Sequence, residues 1–191
     1  HLSNGDVALE KKVVEIRDTH RQRKLREYEE WLAANEHDPD YARVKADYEE
    51  FKSEHSKSQI DDYQEQVNRN PTDNALRFKL GEAFYDAGQL KDAIPQLQRA
   101  QASPNLRIKA MLMLGKCYEG RNMNDLAIDQ LQNACNELQI MDDTKKELLY
   151  TLGQVQEKTG DKNAALESYK QIYAVDYGYR DVAERVESSY E

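Results

Sequence analysis

The amino-acid sequence predicts an all-α protein: a solenoid of helix-turn-helix repeats with a long N-terminal helix and a C-terminal capping helix. The first observation behind this prediction is a Leu-Gly pair that recurs three times in one register, because self-similarity at a fixed period is the signature of stacked repeats. The second is composition. Of the 191 residues, 33% are charged and 39% apolar, with only four prolines and eight glycines, which suits thin helical layers better than one deep core.

Each predicted repeat carries a Leu-Gly pair and, twelve residues after the glycine, an alanine. The pairs and their alanines are Leu80-Gly81 with Ala93, Leu114-Gly115 with Ala127, and Leu152-Gly153 with Ala165. Glycine inside a helix costs about 1 kcal/mol relative to alanine, so its recurrence predicts a close approach of two helices. We expect the small alanine to face it from the second helix. Between the helices, Gly88, Asn122 and Gly160 suit a left-handed helix C-cap.

These repeats resemble the tetratricopeptide repeat, whose signature is an aromatic or apolar residue, Leu-Gly, a second aromatic, then alanine and a large apolar residue. The middle repeat matches at Met111, Leu114, Gly115, Tyr118, Ala127, Leu131 and Ala134. The first departs from the pattern at Arg77 and the third at Gln156. The resemblance implies a right-handed α-solenoid. The last two repeats and the tail are similar to bacterial tetratricopeptide repeat proteins with a like closing segment.

Six segments are expected along the chain. They are a helical arm over 1–39, a degenerate repeat-like helix pair over 40–72, repeats over 73–106, 107–144 and 145–177, and a capping helix over 178–191. Pro71 and Tyr63 take the places of a repeat's closing proline and second-helix apolar residue, which predicts the degenerate pair. The glycines are 34 and then 38 residues apart, so we expect the middle repeat to have an extended second helix. Val182, Val186 and Tyr190, four apart, are predicted to form the apolar face of the cap.

The N-terminal arm is predicted to be one helix from about Asp6 to Asn35, with an N-cap at Gly5-Asp6. Its heptad-like seam holds Val7, Val14, Leu25, Tyr28 and Leu32, but also Lys11, Asp18 and Arg21, so a strong coiled coil is not expected. The arm also carries a basic segment: Arg17, Arg21, Arg23, Lys24 and Arg26. A solvated helix face with neighbouring acids is the favoured interpretation; contact with RNA or an acidic partner is the other. We expect the arm either to pack lengthwise on the repeats or to pair with another copy of the chain.

The sequence contains no sign of catalysis, so we expect a protein that is not an enzyme and uses no cofactor. There is no phosphate-binding glycine loop or nucleophile elbow, and no histidine has the spacing to a second histidine or a cysteine that a metal site needs. The net charge of −9 argues against nucleic acid as a partner, and no apolar run approaches the ~20 residues of a membrane span. Cys117 and Cys135 are predicted to be small buried residues outside any disulfide. Cysteines of this kind are typical of a reducing compartment, so we expect a cytoplasmic localisation.

The resemblance implies that the first helices of successive repeats line a concave groove. We expect the following residues to line it: Phe78, Glu82, Tyr85, Lys109, Leu112, Lys116, Glu119, Tyr150, Gln154 and Glu157. Packing between first helices is an equal alternative for Phe78, Leu112 and Tyr150. The predicted function is a protein-interaction scaffold that binds a peptide or helical segment of a partner in this groove. Self-assembly into a homo-oligomer through the arm and the end caps is an alternative, as is RNA or acidic-partner binding by the arm.

Overall fold

The computed structural model describes residues 4–190, and within that range the chain is helical without strands. Nine helices follow one another: α1 (Asn4–Ala34), α2 (Tyr41–Arg69), α3 (Asn74–Asp86), α4 (Leu90–Ala100), α5 (Pro104–Gly120), α6 (Asn124–Glu137), α7 (Asp143–Lys158), α8 (Lys162–Tyr173) and α9 (Val182–Glu187). They form two compact units that divide between Asn70 and Pro71. No helix in the described range has the length and apolar character needed to cross a membrane.

The first unit is a hairpin of α1 and α2. Arg21 Nη2 donates to Ser58 Oγ at 2.9 Å, and the Tyr48 hydroxyl donates to Glu29 Oε1 at 2.8 Å. As the partner's number rises along α1 it falls along α2, so the two helices run antiparallel. The arm therefore packs lengthwise on α2. Gly5 already lies inside α1, so the predicted N-cap at Gly5-Asp6 is wrong, and the side chains of Val7 and Lys11 lie outside the described residues.

The hairpin contains one buried acid, Asp18, which is only 8% exposed. It accepts hydrogen bonds from the Tyr63 hydroxyl and from Arg21 Nη1, the latter at 3.1 Å. Hydrogen bonds to charged groups contribute about 1.5–3 kcal/mol each, and an orphaned buried donor adds its desolvation cost. We expect Asp18→Ala to lower the free energy of unfolding of this unit by about 2 kcal/mol. The fluorescence of Trp31, the only tryptophan in the sequence, reports it in a urea titration.

The matched control for Asp18→Ala is Glu15→Ala, one turn away on the exposed face of α1. Exposed substitutions of this kind stay within about 0.5 kcal/mol of the original chain. Equal urea midpoints for the two variants would show that Asp18 contributes no more to the hairpin than a solvated acid does.

The degenerate helix pair predicted over 40–72 is wrong, because α2 is one continuous helix of 29 residues. No proline or glycine occurs between Pro39 and Pro71, so nothing in that stretch ends a helix or forms a turn. Tyr63 is buried, as expected of a repeat position. However, it faces Asp18 on α1 rather than a first helix of its own repeat.

The second unit confirms the predicted solenoid of helix pairs, in which α3 packs with α4, α5 with α6, and α7 with α8. The turn of each pair uses a residue with left-handed backbone: φ is 72° at Gly88, 58° at Asn122 and 87° at Gly160. These are the three C-cap positions predicted. Asp73 and Asp161 cap the helices that follow them by accepting bonds from backbone N–H groups, an interaction that stabilises a helix by about 1 kcal/mol.

The repeated glycines lie at close helix crossings, but the residue that faces each of them differs from the prediction. A Cβ built on Gly115 would lie 2.6 Å from both Cγ and Cδ2 of Leu131. Gly81 meets Leu97 in the same way, and Gly153 meets the ring of Tyr169. The facing residue is therefore the large apolar residue four positions after the alanine, and not the alanine. Each glycine leaves space for a large side chain of the second helix, which packs against the first helix at this point.

The two departures from the family pattern are both resolved by hydrogen bonds. Arg77, 7% exposed, donates from Nε to the Pro71 carbonyl at 2.9 Å and from Nη1 to Gln96 Oε1 at 2.9 Å. Burial lowers the pKa of Arg77. Gln156 is equally buried, and its Oε1 accepts from Ser168 Oγ at 2.8 Å. Buried polar groups at core positions are tolerated when they are paired in this way.

The four extra residues of the middle repeat are shared between a helix and a loop. Helix α6 has 14 residues where α4 has 11, and the loop after it, 138–142, is two residues longer than the loop 101–103. Helix α7 begins one residue closer to its glycine than α5 does, which leaves a net difference of four. The predicted extension of the second helix is thus only part of the insertion. At the end of the chain, α9 has six residues and is shorter than the predicted helix. Val182 and Val186 are buried against the core of the last repeats, as expected of a cap. The prediction is wrong for Tyr190, which is 74% exposed because α9 ends at Glu187.

Candidate functional site

The candidate site is a cavity of about 400 Å³ on the side of the second unit that the first helices of the repeats form. We call it the groove cavity. It is lined by Tyr85, Lys116, Glu119, Glu147, Thr151, Gln154, Val155 and Arg180. Seven of these side chains come from α3, α5 and α7, and Arg180 comes from the loop before α9. Three successive repeats and the C-terminal segment therefore build one site.

Four of the ten predicted groove residues meet in this cavity: Tyr85, Lys116, Glu119 and Gln154. They stand one or four positions after the repeat glycine; both positions face the cavity in the middle repeat, but only one of the two does so in the first and in the third. Burial raises the pKa of the Tyr85 phenol, and acidic neighbours including Glu119 and Glu147 raise it further. The phenol is therefore protonated at neutral pH and can donate a hydrogen bond.

The other six predicted groove residues lie elsewhere. Phe78 and Tyr150 are buried, each 6% exposed, and Leu112 packs on the core beside Tyr150. They have the packing role that the sequence left open, because the position three before the glycine faces the neighbouring helix. The remaining three are outside the cavity lining: Glu82, paired with Lys79 at 2.9 Å; Lys109, which is exposed; and Glu157, which lines a separate cavity with Tyr169 and Arg185.

The strongest polar cluster of the groove cavity surrounds the Glu147 carboxylate. Lys116 Nζ donates to Oε1 at 2.8 Å, the Tyr179 hydroxyl donates to Oε2 at 3.1 Å, and Arg180 Nη2 also donates to Oε2. Burial on its own would raise the pKa of Glu147, but the bonds from Lys116 and Tyr179 and the charge of Arg180 outweigh it and hold the pKa below its usual value. The carboxylate is therefore ionised at neutral pH.

The loop that delivers Arg180 is fastened to α7 and carries an unusual backbone. Arg180 has a φ of 50°, a left-handed conformation that is uncommon for a residue other than glycine. Its guanidinium lies over the ring of Tyr150, 4.5 Å from the centroid, a cation–π distance. The Tyr150 hydroxyl in turn donates to Asp181 Oδ1 at 2.8 Å. These contacts hold the guanidinium at the cavity wall.

A second ion pair lies across the cavity, between Glu119 on α5 and Lys158 at the end of α7. It neutralises the Glu119 charge within the structure. The Gln154 side chain is exposed, so its amide remains available to donate and accept. The cavity thus presents a phenol, an amide and two compensated carboxylates above the apolar Val155, a mixture suited to a polypeptide rather than to a purely apolar ligand.

Four lining residues were missed from the sequence, and for one of them a signal was present. Glu147 stands six positions before Gly153, as the predicted Lys109 stands six before Gly115, so the register would have found it. Arg180 follows no repeat register. Its place depends on how the loop before α9 folds back, which residue spacing does not predict. Thr151 and Val155 line the cavity on the same helix as Gln154.

The basic segment of the arm is largely engaged within the hairpin. Arg21 bonds Asp18 and Asp62, at 3.1 and 3.3 Å, and Arg17 lies 3.5 Å from Asp62. Arg23 pairs with Glu27, Lys24 lies 4.5 Å from the ring centroid of Phe51, and Arg26 is exposed. Since Arg17 and Arg21 neutralise acids of the same unit, this geometry disfavours an RNA site. The solvated-face interpretation fits the exposed Arg23 and Arg26 but not Arg21, whose side chain is only 12% exposed.

The two cysteines are buried, and burial raises the pKa of Cys117 and of Cys135 to about 11. Both thiols therefore stay protonated at neutral pH, as small core side chains do. Over residues 4–190, no group of three or more histidine, cysteine, aspartate or glutamate side chains has an arrangement that could hold a metal ion.

Comparison with known proteins places the repeats in a family. A tetratricopeptide repeat family model matches residues 109–137 and 147–174. No curated protein matches the chain. Among solved structures, MamA is 24% identical with a TM-score of 0.60 over 69% of this chain and 74% of that one. MamA from Desulfovibrio magneticus RS-1 is 18% identical with a TM-score of 0.59 over 100% and 99%.

A thermophilic tetratricopeptide repeat protein of Thermus thermophilus is also 18% identical, with a TM-score of 0.59 over 96% of both chains. At these identities the structures show likeness of fold alone. The family model covers the middle and the third repeat, and the structural likeness extends over the helices around them. The match to the tetratricopeptide repeat family model thus covers residues 109–137 and 147–174 of this chain.

Proposed function

We propose that this protein is a non-catalytic scaffold that holds a short segment of a partner protein in the groove cavity. The observation that carries the proposal is that three first helices and the C-terminal loop converge on one polar cavity. Tetratricopeptide repeats as a family bind protein partners, and repeat solenoids use extended faces for this purpose. Tyr85 offers an aromatic surface and Gln154 an amide that can bond the backbone of an extended segment.

The test is capture of partners from an extract of the source cells by the immobilised chain, quantified by mass spectrometry. We expect Tyr85→Ala combined with Lys116→Ala to reduce capture of groove-bound partners about tenfold, since central aromatic and charged contacts dominate most interfaces. The matched control, Tyr177→Ala with Lys91→Ala, removes the same residue types at exposed positions outside the cavity. It should leave capture unchanged.

Circular dichroism must show that both double variants keep their helix content and melting temperature. If the groove variant is folded and captures the same proteins in the same amounts as the control, the groove cavity is not the binding site. Self-assembly through the arm remains an untested prediction, which light scattering of the intact chain over a range of concentrations would check.

A further inference from the structure

One carboxylate of this protein occupies a site that is built like an anion-binding site for a partner. Glu147 is held by an ammonium, a phenol and a guanidinium, from Lys116, Tyr179 and Arg180. We call these three donor residues the carboxylate nest. The donors come from α5 and the loop before α9, whereas the carboxylate itself comes from α7. The nest and its occupant are therefore on separate elements.

The carboxylate nest carries more charge and more donors than Glu147 uses. Two cations share a single carboxylate, and the other acid of the cavity, Glu119, is already paired with Lys158. An ammonium has three N–H donors and a guanidinium has five, while each of these two cations contributes one hydrogen bond to Glu147. The Lys116 side chain is 28% exposed and that of Arg180 is 45% exposed, so their remaining donors can be reached from the cavity.

Arg180 of the nest is also held in position by contacts that do not involve Glu147. The ring of Tyr150 lies under the Arg180 guanidinium, and the Tyr150 hydroxyl fixes the next residue, Asp181. The backbone of Arg180 is left-handed, and unfavourable backbone conformations of this kind persist where the surroundings enforce them and cluster at ligand sites. Donors that are held in advance bind an incoming anion with little loss of conformational entropy.

We propose that the carboxylate nest is the recognition site for an acidic side chain of the partner segment, and that Glu147 occupies it only while the groove is empty. This inference rests on the proposed function of the groove. Glu147 itself shows that a side-chain carboxylate can accept from all three donors at once. A glutamate or aspartate of the partner reproduces those bonds, and Glu147 turns out to solvent on the exposed edge of α7.

The exchange makes Glu147 an internal competitor of the partner. An attached carboxylate has a high effective concentration at the nest, which weakens every external carboxylate by the same factor. Removing its charge without changing its shape should therefore strengthen the binding of acidic segments. A purely structural role predicts the opposite, because loss of the Lys116 and Arg180 bonds would then loosen the groove. The sign of the effect separates the two.

The probe is a displayed library of random twelve-residue peptides. Constant sequence flanks each peptide on both sides, so that no free carboxyl terminus is present and only side-chain carboxylates are offered. We expect selection on the intact chain to enrich aspartate or glutamate at one position of the recovered peptides. One such peptide is then made with an amidated carboxyl terminus, together with a version in which the acid is replaced by its amide. Affinities are measured by fluorescence polarisation at several salt concentrations.

We expect Glu147→Gln to bind the acidic peptide about tenfold more tightly than the original chain does, and Arg180→Gln to bind it about tenfold more weakly. The amide version of the peptide should not distinguish the three proteins. The matched control is Glu137→Gln, which breaks the exposed pair with Arg107 (2.7 Å) outside the cavity and should leave the affinity unchanged. Melting curves confirm that each variant is folded.

Two results would overturn the inference alone. The first is an acidic peptide that binds Glu147→Gln as weakly as, or more weakly than, the original chain. The second is a set of recovered peptides without acid enrichment that nevertheless lose binding when Tyr85 and Gln154 are both replaced by alanine. In that case the groove binds peptides and the proposed function stands, but the nest has no part in it. A library that yields no peptide dependent on Tyr85 and Gln154 overturns the groove function and this inference together.

Discussion

Replacing Gly115 with alanine should destabilise the repeats, whereas the same replacement in a Leu131→Ala background should stabilise them. In the original chain, the new Cβ would lie 2.6 Å from Cγ of Leu131. That leucine is fully buried and cannot move aside without disturbing the core. Overpacking of this kind costs about 1–3 kcal/mol, which exceeds the gain of about 1 kcal/mol from replacing a helical glycine by alanine.

Removing the Leu131 side chain should reverse the sign. Leu131→Ala alone is expected to cost about 2–5 kcal/mol, because it opens a cavity in the core. The methyl of Gly115→Ala then fits into that space, and only its favourable helix propensity remains. The double variant should therefore be more stable than Leu131→Ala by up to about 1 kcal/mol. This is a coupling of opposite sign within one pair of residues, the kind of result that a double-mutant cycle isolates.

Hydrogen exchange of peptides from α5 and α6 provides the measurement, because it reports the second unit separately from the hairpin. A matched control replaces an exposed residue of α6, Gln132→Ala, in the same two backgrounds. If Gly115→Ala has the same effect with and without the Leu131 side chain, then the glycine is present for some reason other than the space that Leu131 needs.

This pair of residues also shows what a single sequence can and cannot predict about the fold. The three glycines in one register predicted the helix pairs and their turns, because a costly residue that recurs must meet a close neighbour. The choice of Ala127 as that neighbour was wrong. A small residue is compatible with a close crossing, but it is the large side chain of Leu131 that needs the space, and residue size alone does not say which of the two faces the glycine.

The errors in the N-terminal half have a different cause. The pattern around Tyr63 and Pro71 is like that of a repeat, yet α2 continues through it without a turn. Apolar spacing reports which face of a helix is buried, and α2 buries one face over its whole length against α1. The signal that decides between one helix and two is the turn residue, and its absence between Pro39 and Pro71 is a stronger indication than the periodicity that suggested a pair.

The candidate site was only partly predictable for a geometric reason. Positions one and four after the glycine both face the cavity in the middle repeat, so Lys116 could be assigned from the register, but only one of the two does so in each outer repeat. Positions three before the glycine are buried instead, as the rings of Phe78 and Tyr150 are. Tyr150, on the last first helix, packs on the rings of Tyr169 and Tyr179. Arg180 belongs to a loop that has no repeat counterpart. The packing of the C-terminal cap determines whether Arg180 lies at the cavity, so the cap is the part of the fold that positions this site residue.

Replacing Val182 with aspartate tests this link, and we expect it to detach the C-terminal cap. Val182 has no exposed surface and packs in the core of the last repeats. Burying an unpaired charge at such a position costs about 3–5 kcal/mol. A helix of only six residues is marginal without its packing, so the segment should leave the core rather than bury the charge. At 1.4 kcal/mol for each factor of ten, opening of the cap should become about a hundredfold more frequent or more.

Trypsin provides the measurement, because Arg180 and Arg185 lie within the segment that the cap holds in place. Cleavage after these two arginines should accelerate in Val182→Asp by about the same factor as the opening, provided that reclosing is fast. The control Val175→Asp introduces the same charge at a position that is 60% exposed, in the loop before the cap. It should be cleaved at the original rate, and equal rates for the two variants would show that Val182 does not anchor the segment.

Detachment of the cap should also change the groove. When the loop leaves α7, Glu147 loses the bonds from Tyr179 and Arg180 and keeps only the bond from Lys116. The pKa of Glu147 should then rise towards its ordinary value.

Peptides that depend on Arg180 should lose affinity for Val182→Asp, although the substituted residue lies outside the cavity lining. Unchanged binding by a chain whose cap is demonstrably open would mean that the cap only covers the end of the solenoid. Weakened binding would mean that α9 contributes to the site, because it holds in place Arg180, the lining residue that no repeat supplies.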